Sequence, residues 1–307
     1  MTLHPCFIGI DIAKDHLDVF DTHSQRHRRV PNTPEAIAAL VEDWRDRPAL
    51  IVFEATGAYD ALLRHALAQA GLRFARVNPA QARAFARATG RLAKTDALDA
   101  RGLAAMGRAL DLIPQDASDP ARERLARLHK RRDQLVESRA AERTRLADET
   151  DCADSLTAHI AWLSAEIARL DGLIAEGIAA TDLVATERLL RSVPGVGPVT
   201  AATLLALMPE LGRRSGKAVA ALAGLAPLNQ DSGARRGTRA IRGGRRRVRR
   251  ALYMAAVAAI RHPRFRAFYD AVLARRRAPK IALVAVARKL LVILNAILKT
   301  KTPFQPC

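Results

Sequence analysis

Between Ala121 and Asp171 the sequence contains neither proline nor glycine. Nothing in that stretch breaks a helix, so the chain there is committed to long helical rods. Leu156, Ile160, Leu163, Ile167, Leu170 and Ile174 follow one another at steps of four and three. That spacing places all six along one narrow stripe, the seam of a coiled coil. Leu125, Leu128, Leu135 and Leu146 make a rougher stripe on the preceding arm, interrupted by arginines. Two long helices are predicted, turning back near 151–155 into an antiparallel hairpin. An ordinary packed helix pair is the plainer alternative.

This helical segment divides the chain into three zones, predicted as domains at 1–115, 116–185 and 186–307. The first alternates strand and helix signals. Phe7-Ile8-Gly9-Ile10-Asp11-Ile12 is a short apolar run carrying an acid near its end. Residues 17–20 and 27–30 can follow as antiparallel strands. Thr33-Pro34-Glu35 is a helix start, with a capping hydroxyl and a proline in the first turn. Ala49-Leu50-Ile51-Val52-Phe53 is a buried strand that delivers Glu54. A helix over 59–70, a strand over 72–77 and helices over 80–88 and 96–110 complete an α/β pattern.

The last zone is helical and basic. Val193-Pro194-Gly195-Val196-Gly197-Pro198 lies between two apolar helical stretches and reads as a helix-hairpin-helix. There Gly195 and Gly197 would let the backbone approach a phosphate. A tight turn between packed helices is the alternative. The apolar run over 281–298 is broken by Arg288 and Lys289 and reads as a buried helix, not a membrane span. The three cysteines show no metal-ligand spacing, and with no basic-then-apolar leader pattern the expectation is a cytoplasmic, nucleoid-associated protein.

The 307 residues carry 50 Lys and Arg against 31 Asp and Glu, a net charge of +19. Nucleic acid is the partner that relieves such an excess, although a GC-rich genome also favours arginine. The charge is clustered. Twelve arginines and no acid lie between Ser232 and Tyr269, nine of them over 235–250. Arg235, Arg236, Arg239, Arg242, Arg245, Arg246, Arg249 and Arg250 are the candidate phosphate contacts, since a guanidinium grips phosphate with two parallel hydrogen bonds. A solvated basic face is the alternative. Tyr253 lies in an apolar helical stretch and reads as core. Ser215 precedes a helix and reads as its cap.

Four acids form the chemical pattern. Asp11 and Glu54 stand at strand ends, and Asp96 and Asp99, three apart, share one helix face. Acids at strand ends converge on one sheet edge, where their repulsion invites divalent cations. Mg²⁺, with Mn²⁺ as a substitute, suits such oxygen ligands and leaves coordination for phosphate oxygens. Asp15, Asp18 and Asp21 read as ordinary surface acids.

Gly9-Ile10-Asp11-Ile12-Ala13-Lys14, Phe53-Glu54-Ala55-Thr56-Gly57 and Lys94-Thr95-Asp96-Ala97-Leu98-Asp99-Ala100 together resemble the DEDD transposases of the IS110/IS1111 insertion sequences. Ala223-Gly224-Leu225-Ala226-Pro227, Asp231-Ser232-Gly233, Arg242-Gly243-Gly244-Arg245 and Arg249-Arg250-Ala251-Leu252-Tyr253-Met254 extend the resemblance over essentially the whole chain. It implies a RuvC-like, RNase H-fold N-terminal domain, a coiled-coil insert and a mainly α transposase domain. It implies Mg²⁺ on Asp11, Glu54, Asp96 and Asp99, and Ser232 as the nucleophile that links covalently to DNA. The implied partners are the double-stranded DNA of element ends and target, an element-encoded bridge RNA, and further copies of the chain as a dimer or tetramer. A junction resolvase using only the carboxylates, and a non-catalytic nucleic-acid-binding protein, are the alternatives.

Overall fold

The computed structural model describes residues 6–57, 59–90, 96–112, 114–115, 119–148, 151–228, 240–276 and 278–305, with backbone alone at 96–98 and 276. The chain divides into two compact units, residues 1–118 and 119–307. The two long helices belong to the second unit.

The first unit is built on a mixed five-stranded sheet in the order β3-β2-β1-β4-β5. Its strands are β1 (Cys6–Ile12), β2 (His16–Asp21), β3 (Arg26–Pro31), β4 (Ala49–Glu54) and β5 (Phe74–Val77). β1, β2 and β3 pair antiparallel, while β1, β4 and β5 pair parallel. Buried strands β1 and β4 lie at the centre, which is why both are near-continuous apolar runs. Helices α1 (Pro34–Trp44), α2 (Ala61–Gln69), α3 (Pro79–Ala88) and α4 (Asp96–Ala109) connect and cover the sheet. Thr33 caps α1 as its sequence suggests, accepting from the Ala36 N–H at 3.4 Å.

Alternation along the strands separates two cores. Ile8, Ile10, Leu17, Val19, Ile51 and Phe53 face one side, packed with Ile37, Leu40, Trp44, Leu63 and Leu67 of α1 and α2. Phe7, Phe20, Leu50 and Val52 face the other, packed with Ala100, Leu103, Ala104 and Met106 of α4. This is the α/β architecture that the strand-and-helix pattern predicts.

The second unit is helical. It comprises α5 (Pro120–Asp148), α6 (Ala153–Ala179), α7 (Leu183–Arg191), α8 (Pro198–Leu207), α9 (Gly216–Leu222), the ribbon strands β6 (Pro227–Leu228) and β7 (Ala240–Ile241), α10 (Arg246–Ala259), α11 (Pro263–Arg276) and α12 (Pro279–Thr300). α5 and α6 form an antiparallel hairpin. Arg132 pairs with Asp171, Arg139 Nη1 donates to Ser164 Oγ at 3.1 Å, and His159 pairs with Glu142 at 3.3 Å, partners that advance in opposite senses along the two helices. Leu163, Ile167 and Leu170 of the α6 stripe are buried with Leu135. Lower on the hairpin, Leu125, Ile174 and Ile178 enter the main helical core.

α12 is long and apolar enough by composition to cross a membrane, yet here Val286, Leu290, Leu291 and Leu294 fill that core. Ser215 caps α9, accepting from the Ala218 N–H at 3.3 Å, as its sequence context suggests.

Candidate active site

Register places the first two acids. Ile10 of β1 lies beside Phe53 of β4 in the parallel ladder, so Asp11 and Glu54 follow as neighbours across two strands. Adjacent strands run about 4.8 Å apart. Asp11 shares the face of Phe7 and Gly9, and Glu54 that of Leu50 and Val52, because side chains alternate. Both are half-buried at the end of the sheet.

The helix bearing the DxxD pair crosses the same face. A side chain on Gly9 would overlap the Ala100 carbonyl and stand 2.6 Å from the Ala104 nitrogen, so only glycine lets α4 come this close to β1. One on Gly107 would meet Val52 Cγ2 at 2.8 Å and the Phe7 ring at 2.9 Å. α4 therefore runs opposite to β1. From Ala100 back to Asp96 the helix rises about 6 Å, matching the roughly 6.6 Å from Gly9 to Asp11 along the strand. The first turn of α4 is thereby directed to the strand end where Asp11 and Glu54 stand. Asp99 is half-buried in that turn; the Asp96 side chain lies outside the described residues.

The fixed pair meets the requirements of a hard divalent cation: oxygen donors, adjacent, half-exposed, with a third acid in the facing turn. Among the described residues no group of three acids, histidines or cysteines is already arranged to hold a metal ion.

Two of the acids expected on the surface are buried. Asp18, opposite Asp11 in the β1–β2 ladder, is 1% exposed. It accepts from Arg29 Nε at 3.1 Å and Nη2 at 2.9 Å, and stands 2.8 Å from His27 Nε2. Burial pushes its carboxyl up, but the hydrogen bonds and charges of Arg29 and His27 outweigh this and hold it below the ordinary carboxylate range. A negative charge beside Asp11 is thus compensated locally and adds little to the repulsion at the Asp11–Glu54 pair. Asp21, also buried, pairs with Arg47 at 2.7 Å. Only Asp15 of the three is exposed. Local sequence carries no sign of this burial, because the partners come from a neighbouring strand and a distant loop.

In the helical unit the candidate arginines divide. Arg245, at the head of α10, grips Glu210 with two bonds of 2.6 and 2.5 Å and also donates to the Leu207 carbonyl at 2.8 Å. Burial raises the Glu210 carboxyl, and Arg245 reverses this, leaving it below its usual range. Arg250 pairs with Asp133 at 3.0 Å and Glu137 at 2.9 Å on α5, where Arg247 also reaches Asp133 at 3.2 Å. Arg249 donates to the Gly243 carbonyl at 2.7 Å. Arg242 and Arg246 are exposed. Ser232, Arg235, Arg236 and Arg239 lie outside the described residues; β6 and β7 pair antiparallel on either side of that segment, Leu228 opposite Ala240.

The two glycines between α7 and α8 also divide. Gly195, at φ +87°, would place a Cβ 2.5 Å from the Ala255 carbonyl and 2.6 Å from the Ala259 nitrogen. Its lack of a side chain is explained by contact with α10. Gly197, the residue before α8, is exposed and meets nothing within 4 Å.

Comparison with known proteins gives an independent view. Residues 187–270 match the model of the transposase IS116/IS110/IS902 family, and residues 8–149 match a transposase model of the DEDD IS110 type. The pilin gene-inverting proteins of Moraxella lacunata and Moraxella bovis are each 30% identical over 312 residues, covering 97% of this chain and 97% of their own. An uncharacterised 43.6 kDa protein of the insertion element IS110 from Streptomyces coelicolor is 36% identical over 120 residues, 38% of this chain and 30% of its own.

Proposed function

Because the chain belongs to the IS110 family of transposases, enzymes that act on DNA, we propose that it excises and inserts a mobile element through Mg²⁺-dependent strand cleavage and a covalent phosphoserine intermediate. Divalent-metal dependence goes with the DEDD transposase domain. The observation that carries the reading is the register of Asp11 beside Glu54, on the face that the first turn of α4 approaches.

On this reading Asp11, Glu54, Asp96 and Asp99 hold Mg²⁺, or Mn²⁺ in its place. When bound, such an ion stabilises the charge that develops on a phosphate under attack. Ser232 supplies the nucleophile. Its Oγ forms a bond to phosphorus, the P–O bond to the next nucleotide breaks, and that nucleotide leaves as a hydroxyl once protonated. A hydroxyl end from the exchanged strand then attacks the phosphoserine and frees the serine, so bond count is conserved without an external energy source. Arg242 and Arg246, with Arg235, Arg236 and Arg239, contact backbone phosphates. Gly197 and the start of α8, whose first N–H belongs to Val199 because Pro198 has none, take another. The relatives named for inverting a pilin gene fit the same chemistry, since inversion needs a DNA segment cut at both ends and rejoined.

A bridge RNA would supply sequence choice by base pairing, leaving the protein to read backbone and shape. The hairpin of α5 and α6 serves as an assembly surface for a dimer or tetramer, with the protein acting on DNA in the cytoplasm at the nucleoid.

Two variants separate this from a resolvase that uses only carboxylates. Ser232→Ala abolishes both cleavage and the covalent adduct if the serine attacks. A resolvase keeps cutting. Asp11→Ala with Glu54→Ala abolishes cleavage in either case, and unchanged cleavage in that double variant would remove the metal-site reading altogether.

A further inference from the structure

Asn32 follows the last residue of β3, with no acid, base or nucleophile of its own. Its carboxamide nevertheless joins the exits of the two acid-bearing strands. Nδ2 donates to the Ala13 carbonyl at 3.0 Å and the Lys14 carbonyl at 3.4 Å, two and three residues beyond Asp11. The same nitrogen donates to the Tyr59 carbonyl at 3.1 Å, on the loop that follows Glu54. Its backbone N–H donates to the Asp15 carbonyl at 3.0 Å. Three carbonyls around one amide end fix which end is nitrogen, because oxygen in that place would find only acceptors.

The loop after Glu54 is also held from inside. Asp60 is fully buried, and its Oδ2 accepts from the Thr56 N–H at 3.2 Å and Arg76 Nε at 2.7 Å. The Ala55 N–H donates to the Val77 carbonyl at 3.0 Å. The loop is therefore braced against β5 on one side. On the other, Asn32 ties it to the turn leaving β1.

We propose that Asn32 is a positioning residue for the metal site: it sets the spacing between Asp11 and Glu54 by clamping the two strand exits together. The inference rests on the carboxylate reading above. β1 and β4 fix the level of the two acids through their ladder, but that ladder ends at Ile10 and Phe53. Beyond those partners no ladder pair joins β1 to β4: Asp11 and Ile12 stay paired with β2 and Glu54 with β5, so the two exits are held to opposite neighbours and not to each other. A donor bridging carbonyls on both exits supplies the missing tie. Groups that orient metal ligands from behind typically change metal affinity or activity by about 10- to 100-fold when removed.

The test is a Mg²⁺ titration of DNA cleavage in full-length protein, with Mn²⁺ binding followed by electron paramagnetic resonance. Asn32→Ala raises the Mg²⁺ midpoint by about 10-fold or more, while cleavage at saturating Mg²⁺ recovers and the metal-free melting temperature stays close to the parent's. Asn32→Leu, near in shape but without a donor, gives the same shift and covers the case in which alanine fails to fold. Asp11→Ala is the control. If it loses Mn²⁺ binding while both Asn32 variants keep the parent midpoint, the clamp is refuted and the carboxylate site stands. If Asp11→Ala binds Mn²⁺ like the parent, the carboxylate reading itself fails, whatever Asn32 does.

Discussion

The two units use charge in opposite ways. In the α/β unit a few acids are placed by strand register, and each has a distinct assignment. Asp18 and Asp21 are buried and neutralised by arginines, while Asp11 and Glu54 remain half-exposed at a strand end. In the helical unit many arginines occupy a short stretch, and position in sequence does not say which of them are paired within the fold. Arg245, Arg247 and Arg250 are engaged by Glu210, Asp133 and Glu137, whereas Arg242 and Arg246 are exposed. A rigid ladder makes neighbours readable from spacing. A helix surface does not, because its partners come from elements far away in sequence.

The contrast between the units breaks first at the acids. Asp11→Ala lowers strand cleavage by about 10³-fold or more if developing charge on phosphate is stabilised there, with circular dichroism and melting unchanged. A loss below about 10-fold would mean that the strand-end acids have no special standing.

Next come the glycines of the α7–α8 turn. Gly195→Ala forces a side chain against α10 at a left-handed backbone position and costs about 3 kcal/mol or more in unfolding free energy. Gly197→Ala faces open space and leaves stability nearly unchanged, so its effect is read in DNA affinity. Equal destabilisation by both would remove the distinction between packing and phosphate approach.

A histidine held neutral by burial in the hairpin gives a pH signature. Burial pushes His129 down from 6.5 to about 4. The unfolded chain takes up a proton below about 6.5 that the folded protein refuses until about 4, so stability falls as pH drops through that window. The full loss is about 3 kcal/mol. His129→Leu flattens this part of the melting profile between about pH 7 and 4.5, and an unchanged slope would show that the histidine is solvated.

Smallest is the split among arginines. Arg245→Ala strands Glu210 and costs about 2 kcal/mol of stability. Arg246→Ala leaves melting alone and lowers the slope of log affinity against log salt by about 0.9 for each phosphate that is no longer neutralised. Reversal of these two behaviours would reverse the assignment.

Much of the α/β unit is legible in sequence because its signals are local. The apolar runs ending at Asp11 and Glu54, the Thr33-Pro34 start and the helix beginning at Asp96 each declare an element, and parallel pairing of the two runs does the rest. The helix hairpin is equally legible, from its stripe. What sequence hides depends on tertiary partners. Asp18 resembles any surface acid until Arg29 and His27 arrive from the next strand. Asn32 resembles any loop asparagine until three carbonyls surround its amide. Gly195 suggests phosphate approach until α10 packs on it.

The most direct measurement is chemical. The protein is incubated with Mg²⁺ and a DNA duplex nicked beside the cleavage site, so that the released fragment diffuses away and the reaction cannot reverse. Protease digestion and mass spectrometry then read the peptide that contains Ser232. A nucleotide joined to Ser232 through a phosphodiester, formed with Mg²⁺ and lost in Asp11→Ala, is the predicted result. Cleaved DNA with an unmodified Ser232 peptide would contradict the account.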